Sequence, residues 1–216
     1  MKKLFVLFCA ICLVGCASVD PYTGEKKTSN TAKGGGIGAV VGAVAGAAAS
    51  SKKDRNRGAL TGALLGAAVG GGVGHYMDKQ EETMRNRLQG TGVQVQRDGD
   101  NLNLIMPGNI TFDTNRSEIR SDFYEVLSSV ALVLKEYSKT NVRISGHTDS
   151  TGSDQINQKL SEDRASSVRG YLISQQISAN RIQAMGYGSR SPVASNADEY
   201  GRQANRRVEL QLIPFE

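Results

Sequence analysis

Gly146-His147-Thr148-Asp149-Ser150-Thr151-Gly152, continued to Arg164, reads as a strand end, a glycine-bounded turn and an amphipathic helix. Val142 and Ile144 alternate with polar residues and stop at Gly146, the pattern of a short strand. Ser153 or Asp154 offers an N-cap for a helix from about 153 to 175. Ile156, Leu160, Val168 and Leu172 recur at multiples of four and predict its core stripe. Asn157, Ser161 and Arg164 form an adjacent stripe, so Asn157 and Arg164 face the same way. The turn brings Thr148 and Asp149 over the first turn of this helix. A carboxylate, a guanidinium, an amide and free helix N–H groups then crowd one spot. Asp149 can hold an ammonium and Arg164 can clamp a carboxylate by two points. An amino acid suits that pair of charges. The alternative is an Asp149–Arg164 ion pair that only ties the turn to the helix.

Gly146 to Asp149, Asn157, Leu160-Ser161, Arg164-Ala165, Gly201-Arg202 and Asn205 to Glu209 together resemble the OmpA C-terminal-like (OmpA/MotB/Pal) peptidoglycan-binding family, over residues from about 93 to 213. Phe112-Asp113 with Ile119 also matches that family's approach to its first helix. The resemblance implies a site for the meso-diaminopimelate of the peptide stem, with Asp149 on its ammonium and Arg164 on its carboxylate. It further implies supporting roles for Phe112, Asp113, Thr148, Asn157, Leu160 and Arg207.

At the other end, Met1-Lys2-Lys3 is a positive n-region and Leu4 to Val14 an apolar segment of signal-peptide length, too short to span a bilayer. Leu13-Val14-Gly15-Cys16 resembles a bacterial lipobox. That implies a signal peptide over 1–15 and Cys16 as the acylated first mature residue, carrying fatty chains such as palmitate. Each buried methylene adds about 0.8 kcal/mol, so three chains make the anchor effectively permanent. Ala17, where an aspartate would retain a lipoprotein at the inner membrane, implies sorting to the outer membrane. Cys9 and Cys12 leave with the signal, so no disulfide forms within the mature chain. The 216-residue chain carries a formal charge of +5; without Lys2 and Lys3 it has 24 basic against 21 acidic side chains, or +3. That balance is too weak and scattered for nucleic acid.

Residues 16–33 read as a lipidated tether, and composition then shifts sharply. Residues 34–49 are almost wholly Gly, Ala and Val, and 58–74 repeat the theme with Leu. Gly38, Gly42 and Gly46 are spaced by four, as are Gly58, Gly62, Gly66, Gly70 and Gly74. Such spacing puts glycine along one helix face, where a second helix can approach closely. Residues 34–74 resemble a glycine-zipper helical hairpin, whose arms either insert in the membrane as transmembrane segments, lie shallowly on it, or assemble into a homo-oligomer. The charged turn from Lys52 to Arg57 is costly to carry across a bilayer. His75 to Leu88 predicts a short connector helix, and residues 75–92 a connector.

From 93 onward the pattern is strand, strand, helix, strand, helix, strand, strand. This predicts an α+β domain with two helices packed on a mixed β-sheet. Val93 to Met106 is a hairpin turning at Asp98-Gly99, with Ile110-Thr111-Phe112 as a short extension. Asp122 to Ser138 is a helix, Arg181 to Tyr187 a strand, 189–203 a polar loop and Arg207 to Ile213 the last strand. Arg206 and Arg207 point oppositely, one to the site and one to solvent. His147 is expected to be a structural residue at the strand end.

The pattern fits non-covalent tethering of the outer membrane to peptidoglycan from the periplasm. Catalysis needs an activated nucleophile, a metal or paired carboxylates with a base. No serine or threonine has an evident activating histidine, and no cofactor or metal cluster is suggested. The rival class is an accessory subunit of an envelope assembly or membrane machine, acting through the hairpin.

Overall fold

The structure, a computed structural model, describes residues 17–19, 26–28, 30–51 and 54–215. The signal segment and Cys16 lie outside the described residues. Two compact units divide between Lys79 and Gln80.

The first unit holds a short antiparallel pair, β1 (Ala17–Val19) and β2 (Lys26–Thr28), and then helix α1 (Asn30–Ala49). Helix α2 (Arg55–Leu88) follows a brief turn. The sequence pattern separates a glycine arm from a connector helix, but the two run as one helix, because Gly70 to Gly74 is not followed by a capping or breaking residue. Ser50 closes α1 by donating its hydroxyl to the Gly46 carbonyl at 2.8 Å. The two helices meet backbone to backbone. Gly38 lies on Gly66, Gly42 on Gly62 and Gly46 on Gly58, and a Cβ on any of the six would collide with the carbonyl opposite. This close approach is what a four-residue glycine period permits.

The apolar side chains are thereby turned outward. Ile37, Val40, Val41 and Val44 on α1, and Leu60, Leu64, Leu65 and Val69 on α2, are 64–70 % exposed. Among the described residues no helix is long and apolar enough to cross a membrane. The glycine and alanine content of the hairpin arms is the reason, since these residues add little hydrophobicity.

Gly42→Leu forces the helices apart to the spacing of ordinary side-chain packing, about 8–10 Å between axes. Pulsed electron resonance between labels at Val44 and Leu60 reads the change. Gly36→Leu, where a Cβ meets nothing within 4 Å, leaves the distance unaltered.

The second unit is built on a five-stranded sheet of order β3-β4-β7-β5-β6. Its strands are β3 (Gln94–Asp98), β4 (Asn101–Pro107), β5 (Thr140–His147), β6 (Ile182–Gly186) and β7 (Arg207–Pro214). Only β5 and β6 pair in parallel, which makes the sheet mixed. β5 is interior, in register with β7 along its whole length and with β6 from Val142 to Gly146. The β3–β4 turn carries Gly99 at φ 57°, a backbone state that glycine adopts without strain. Alternation delivers Leu102, Leu104, Met106, Val142, Ile144, Val208, Leu210 and Leu212 to the core.

Helices α4 (Tyr124–Glu136) and α5 (Asp154–Ser174) supply the other core layer, through Leu127, Val130, Val133 and Leu134, and through Ala165, Val168 and Leu172. The α+β architecture expected from the pattern is the one observed. The last turns of α2 join this unit. Gln80, Met84 and Leu88 are buried, the Gln80 amide reaches the Thr140 hydroxyl at 3.5 Å, and Thr83 bonds the Tyr137 hydroxyl at 3.0 Å.

Three local readings change. Residues 108–111 form a single helical turn, α3 (Gly108–Thr111), and Phe112 then bridges to Ile119. The supposed polar loop contains α6 (Glu199–Asn205), capped by Asp198, whose carboxylate accepts the Gly201 N–H at 2.7 Å. Its buried face is Gly201 and Asn205, so it has no apolar stripe to read. Third, Ile156 is 63 % exposed, whereas Asn157, Ser161 and Arg164 are buried. The cause is Gly146 and Gly186 on the strand ends beneath. A Cβ on Gly146 would strike the Ser161 carbonyl, and one on Gly186 the Glu162 N–H. The helix therefore sits directly on strand backbone at its polar face.

Candidate functional site: a charged pocket over the end of β5

β5 ends at His147, and the loop 148–153 is folded back by its own polar groups. The Thr148 N–H donates to the Gly188 carbonyl at 2.9 Å. The Thr151 N–H donates to Asp149 Oδ1 at 2.7 Å, and the Asn157 amide donates to the Thr151 carbonyl at 3.0 Å. Ser153 caps α5, accepting the Ile156 N–H at 3.4 Å. The loop is thus shaped before any ligand arrives.

A cavity of about 420 Å³ lies over this loop, a volume suited to a small ligand or part of a larger one. Phe112, Asp113, Thr148, Asp149, Asn157, Leu160 and Arg164 all line it. Seven of the eight residues expected at the site are thus brought together. The eighth, Arg207, is not among the lining residues and does not point to solvent either. It is 5 % exposed, and its guanidinium donates to Glu209 at 2.6 Å and to the Asn205 and Ser191 carbonyls at 3.2 and 3.3 Å. Arg206 lines the cavity in its place, with Glu199 and Arg202. The last strand starts at Arg207, as the sequence suggests, but Arg206 is the C-cap of α6 and its side chain, not that of Arg207, reaches the cavity.

Asp149 and Arg164 do not pair with each other. Asp149 Oδ2 accepts Arg206 Nη1 at 2.6 Å, and the same guanidinium reaches Glu199 Oε1 at 2.6 Å. Burial pushes the Asp149 carboxyl up, but the Arg206 and Thr151 hydrogen bonds outweigh it and hold the group below its ordinary value. It is an anion at neutral pH.

Arg164 is 5 % exposed. Its Nε donates to the Arg116 carbonyl at 2.9 Å, and its guanidinium carbon lies 5.1 Å from the centre of the Phe112 ring. Among the described residues it makes no ion pair. Burial first, and then the like charge of Arg206, lower its pKa, while Asp149 opposes them; a guanidinium nonetheless stays charged. A buried cation held against an aromatic face, with no carboxylate of its own, is prepared for an anionic partner. Asp113 stands at the rim, its side chain 69 % exposed and paired to Arg120 at 2.9 Å. Among the described residues no cluster of His, Cys, Asp or Glu could hold a metal ion.

His147 lies outside the lining. It is 5 % exposed and stacks on Tyr187 at 5.3 Å between ring centres, and neither ring nitrogen has a hydrogen-bond partner among the described residues. Burial, helped by Arg207 and opposed by Glu209, pushes its pKa down to about 4 from 6.5. The unfolded chain therefore takes the proton first. The contribution of the neutral ring is complete above the unfolded value and is lost as pH falls through 6.5 toward 4. The loss amounts to about 3 kcal/mol at most. Urea midpoints between pH 7.5 and 4 should fall more steeply for wild type than for His147→Phe.

Residues 111–206 match the OmpA family, and residues 1–78 match the YMGG-like Gly-zipper. The chain is 48 % identical to "Probable lipoprotein YiaD" of Escherichia coli K12, covering all of both chains. It is 40 % identical to "Peptidoglycan-binding protein ArfA" of Mycobacterium tuberculosis, over 50 % of this chain and 33 % of that one. Among solved structures, the cell wall anchor of the T6SS from Pseudomonas aeruginosa superposes with a TM-score of 0.57 at 28 % identity, covering 62 % of this chain and 96 % of that one.

Proposed function

Because the chain belongs to the OmpA family, we propose that its C-terminal unit binds peptidoglycan without covalent bonds and ties the outer membrane to the wall. The ligand group is the zwitterionic end of meso-diaminopimelate in the peptide stem, with its ammonium on Asp149 and its carboxylate on Arg164. The observation that carries this reading is a buried Arg164, without an ion pair among the described residues, in the same pocket as an anionic Asp149. Phe112 and Leu160 give the pocket apolar surface for the methylene chain that leads from that end into the peptide stem. The likeness to ArfA and to a cell wall anchor supports peptidoglycan as the ligand.

Cys16 bears the acyl anchor in the outer membrane, and the C-terminal unit lies in the periplasm. The protein is a binding module and not an enzyme: the pocket's carboxylates are committed to arginines, and His147 is not among its lining residues. It needs no cofactor and takes no nucleic acid.

A second reading rests on the hairpin's outward apolar side chains, since large exposed apolar residues in number mark lipid or protein contact. In that reading the chain serves an envelope assembly or membrane machine as an accessory subunit, or self-associates.

The test is co-sedimentation of the full detergent-solubilised chain with purified sacculi, with free meso-diaminopimelate as competitor. The chain should pellet with the wall, and the competitor should release it. Pelleting that the amino acid does not affect would rule out the diaminopimelate assignment.

A further inference from the structure

We propose that Arg206 is the pocket's internal stand-in for an ammonium group, so that the pocket admits an amine only from a ligand that also brings a carboxylate. The proposal rests on the ligand class assigned above and concerns how that class is selected. Both Asp149 oxygens are engaged before any ligand arrives, Oδ1 by the Thr151 N–H at 2.7 Å and Oδ2 by Arg206 at 2.6 Å. The backbone donor only shapes the loop. The second partner is a cation in the seat that a ligand ammonium would take, so an amine must exchange with it.

The surroundings make that exchange feasible at one end. Glu199 accepts Arg206 on Oε1 and Arg202 on Oε2, the latter at 2.9 Å, so it keeps a cation when Arg206 leaves. They make it unfavourable at the other end. A bare amine on Asp149 leaves Arg202 and Arg206 sharing Glu199, with Arg164 still lacking a counter-charge and Asp113 already committed to Arg120. The amine, Arg164, Arg202 and Arg206 would then be four cations set against two carboxylates, Asp149 and Glu199. A carboxylate on the ligand restores the balance by taking Arg164, Arg206 or both, in the fork geometry that guanidinium groups favour. Arg206 is thus a specificity-determining residue that raises the barrier to simple amines.

Cadaverine, the diaminopimelate skeleton without its two carboxylates, is the probe. Calorimetric titration of the full chain in detergent compares it with meso-diaminopimelate in wild type and in Arg206→Gln. The variant should bind cadaverine roughly tenfold more tightly than wild type does, and its preference for diaminopimelate should shrink by a similar factor. A merely structural residue produces no such gain. Cadaverine bound no better by Arg206→Gln overturns the proposal, whatever diaminopimelate does. A gain for cadaverine in a protein whose wild type ignores diaminopimelate would keep the stand-in role and overturn the peptidoglycan reading instead. Should circular dichroism show Arg206→Gln unfolded, Arg206→Met, which keeps the aliphatic stem, decides on the same terms. Loss of fold in both makes Arg206 a folding residue and overturns the assignment.

Discussion

Arg164→Ala should release the chain from purified sacculi while the C-terminal unit stays folded. In the proposed site the side chain would contribute one two-point, charge-assisted contact to the ligand carboxylate, worth about 1.5–3 kcal/mol. Its loss corresponds to roughly 10- to 150-fold in affinity. Folding is affected less, because Arg164 gives the protein only its Nε–H, donated to Arg116, and its contact with the Phe112 ring. Arg164→Lys keeps the charge and loses the fork, so it falls between the two. A cycle isolates the contact. Wild type should bind amidated stems as weakly as Arg164→Ala binds free ones, and amidation should cost Arg164→Ala almost nothing more. Equal retention of wild type and a folded Arg164→Ala would remove Arg164 from the site.

Gly146→Ala should weaken folding and binding together, although no ligand touches Gly146. A Cβ there collides with the Ser161 carbonyl and lies 2.9 Å from that carbonyl's carbon, and both neighbours are backbone. Only a shift of α5 relieves the contact, at a cost of about 1–3 kcal/mol. In a unit of this size, that lowers the melting temperature by roughly 3–10 °C. The same shift moves Asn157 and Arg164, which α5 carries, relative to Asp149, which the β5 loop carries. Affinity for sacculi should therefore drop even where the variant is still fully folded. Gly170→Ala is the control on the same helix: its Cβ meets nothing within 4 Å, and the change should stabilise by about 0.5–1 kcal/mol. A Gly146→Ala protein as stable and as retentive as wild type would mean that the strand–helix contact does not position the site.

The regular parts of this molecule were legible because they bury apolar side chains at fixed periods. Leu102, Leu104 and Met106 mark β4, and Leu127, Val130 and Leu134 mark α4. The hairpin was legible for the opposite reason, since a period of four made of glycine has meaning only when backbones touch. What escaped is burial without hydrophobicity. α6 hides Gly201 and Asn205, and the Asn205 amide holds the 193–196 segment through Val193, Ala194 and Asn196. α5 hides Asn157, Ser161 and Arg164 and shows Ile156 to solvent. The carboxylate and guanidinium of the site were recognisable by type and spacing, whereas their partners were not. The strand's start at Arg207 was legible, but the helix that ends on Arg206 was not, and without α6 the pattern assigns the site arginine to Arg207 instead of Arg206.

The placement of β5 has a mechanical consequence. The end of α2, which under the proposed tether leads from the membrane, is held at Gln80 and Thr83, beside Thr140 and Tyr137, at the start of β5. The ligand loop leaves the other end, after His147. Tension between membrane and wall would thus run along one interior strand, about 23 Å from first residue to last. β7 grips that strand over its whole length and β6 over most of it. Pulling lengthwise strains these hydrogen bonds in shear, all at once, instead of opening them one by one from an edge. Under the proposed tether, a coupling loaded in this way would yield first where the ligand sits, so the grip would slip and re-form before the protein unravels.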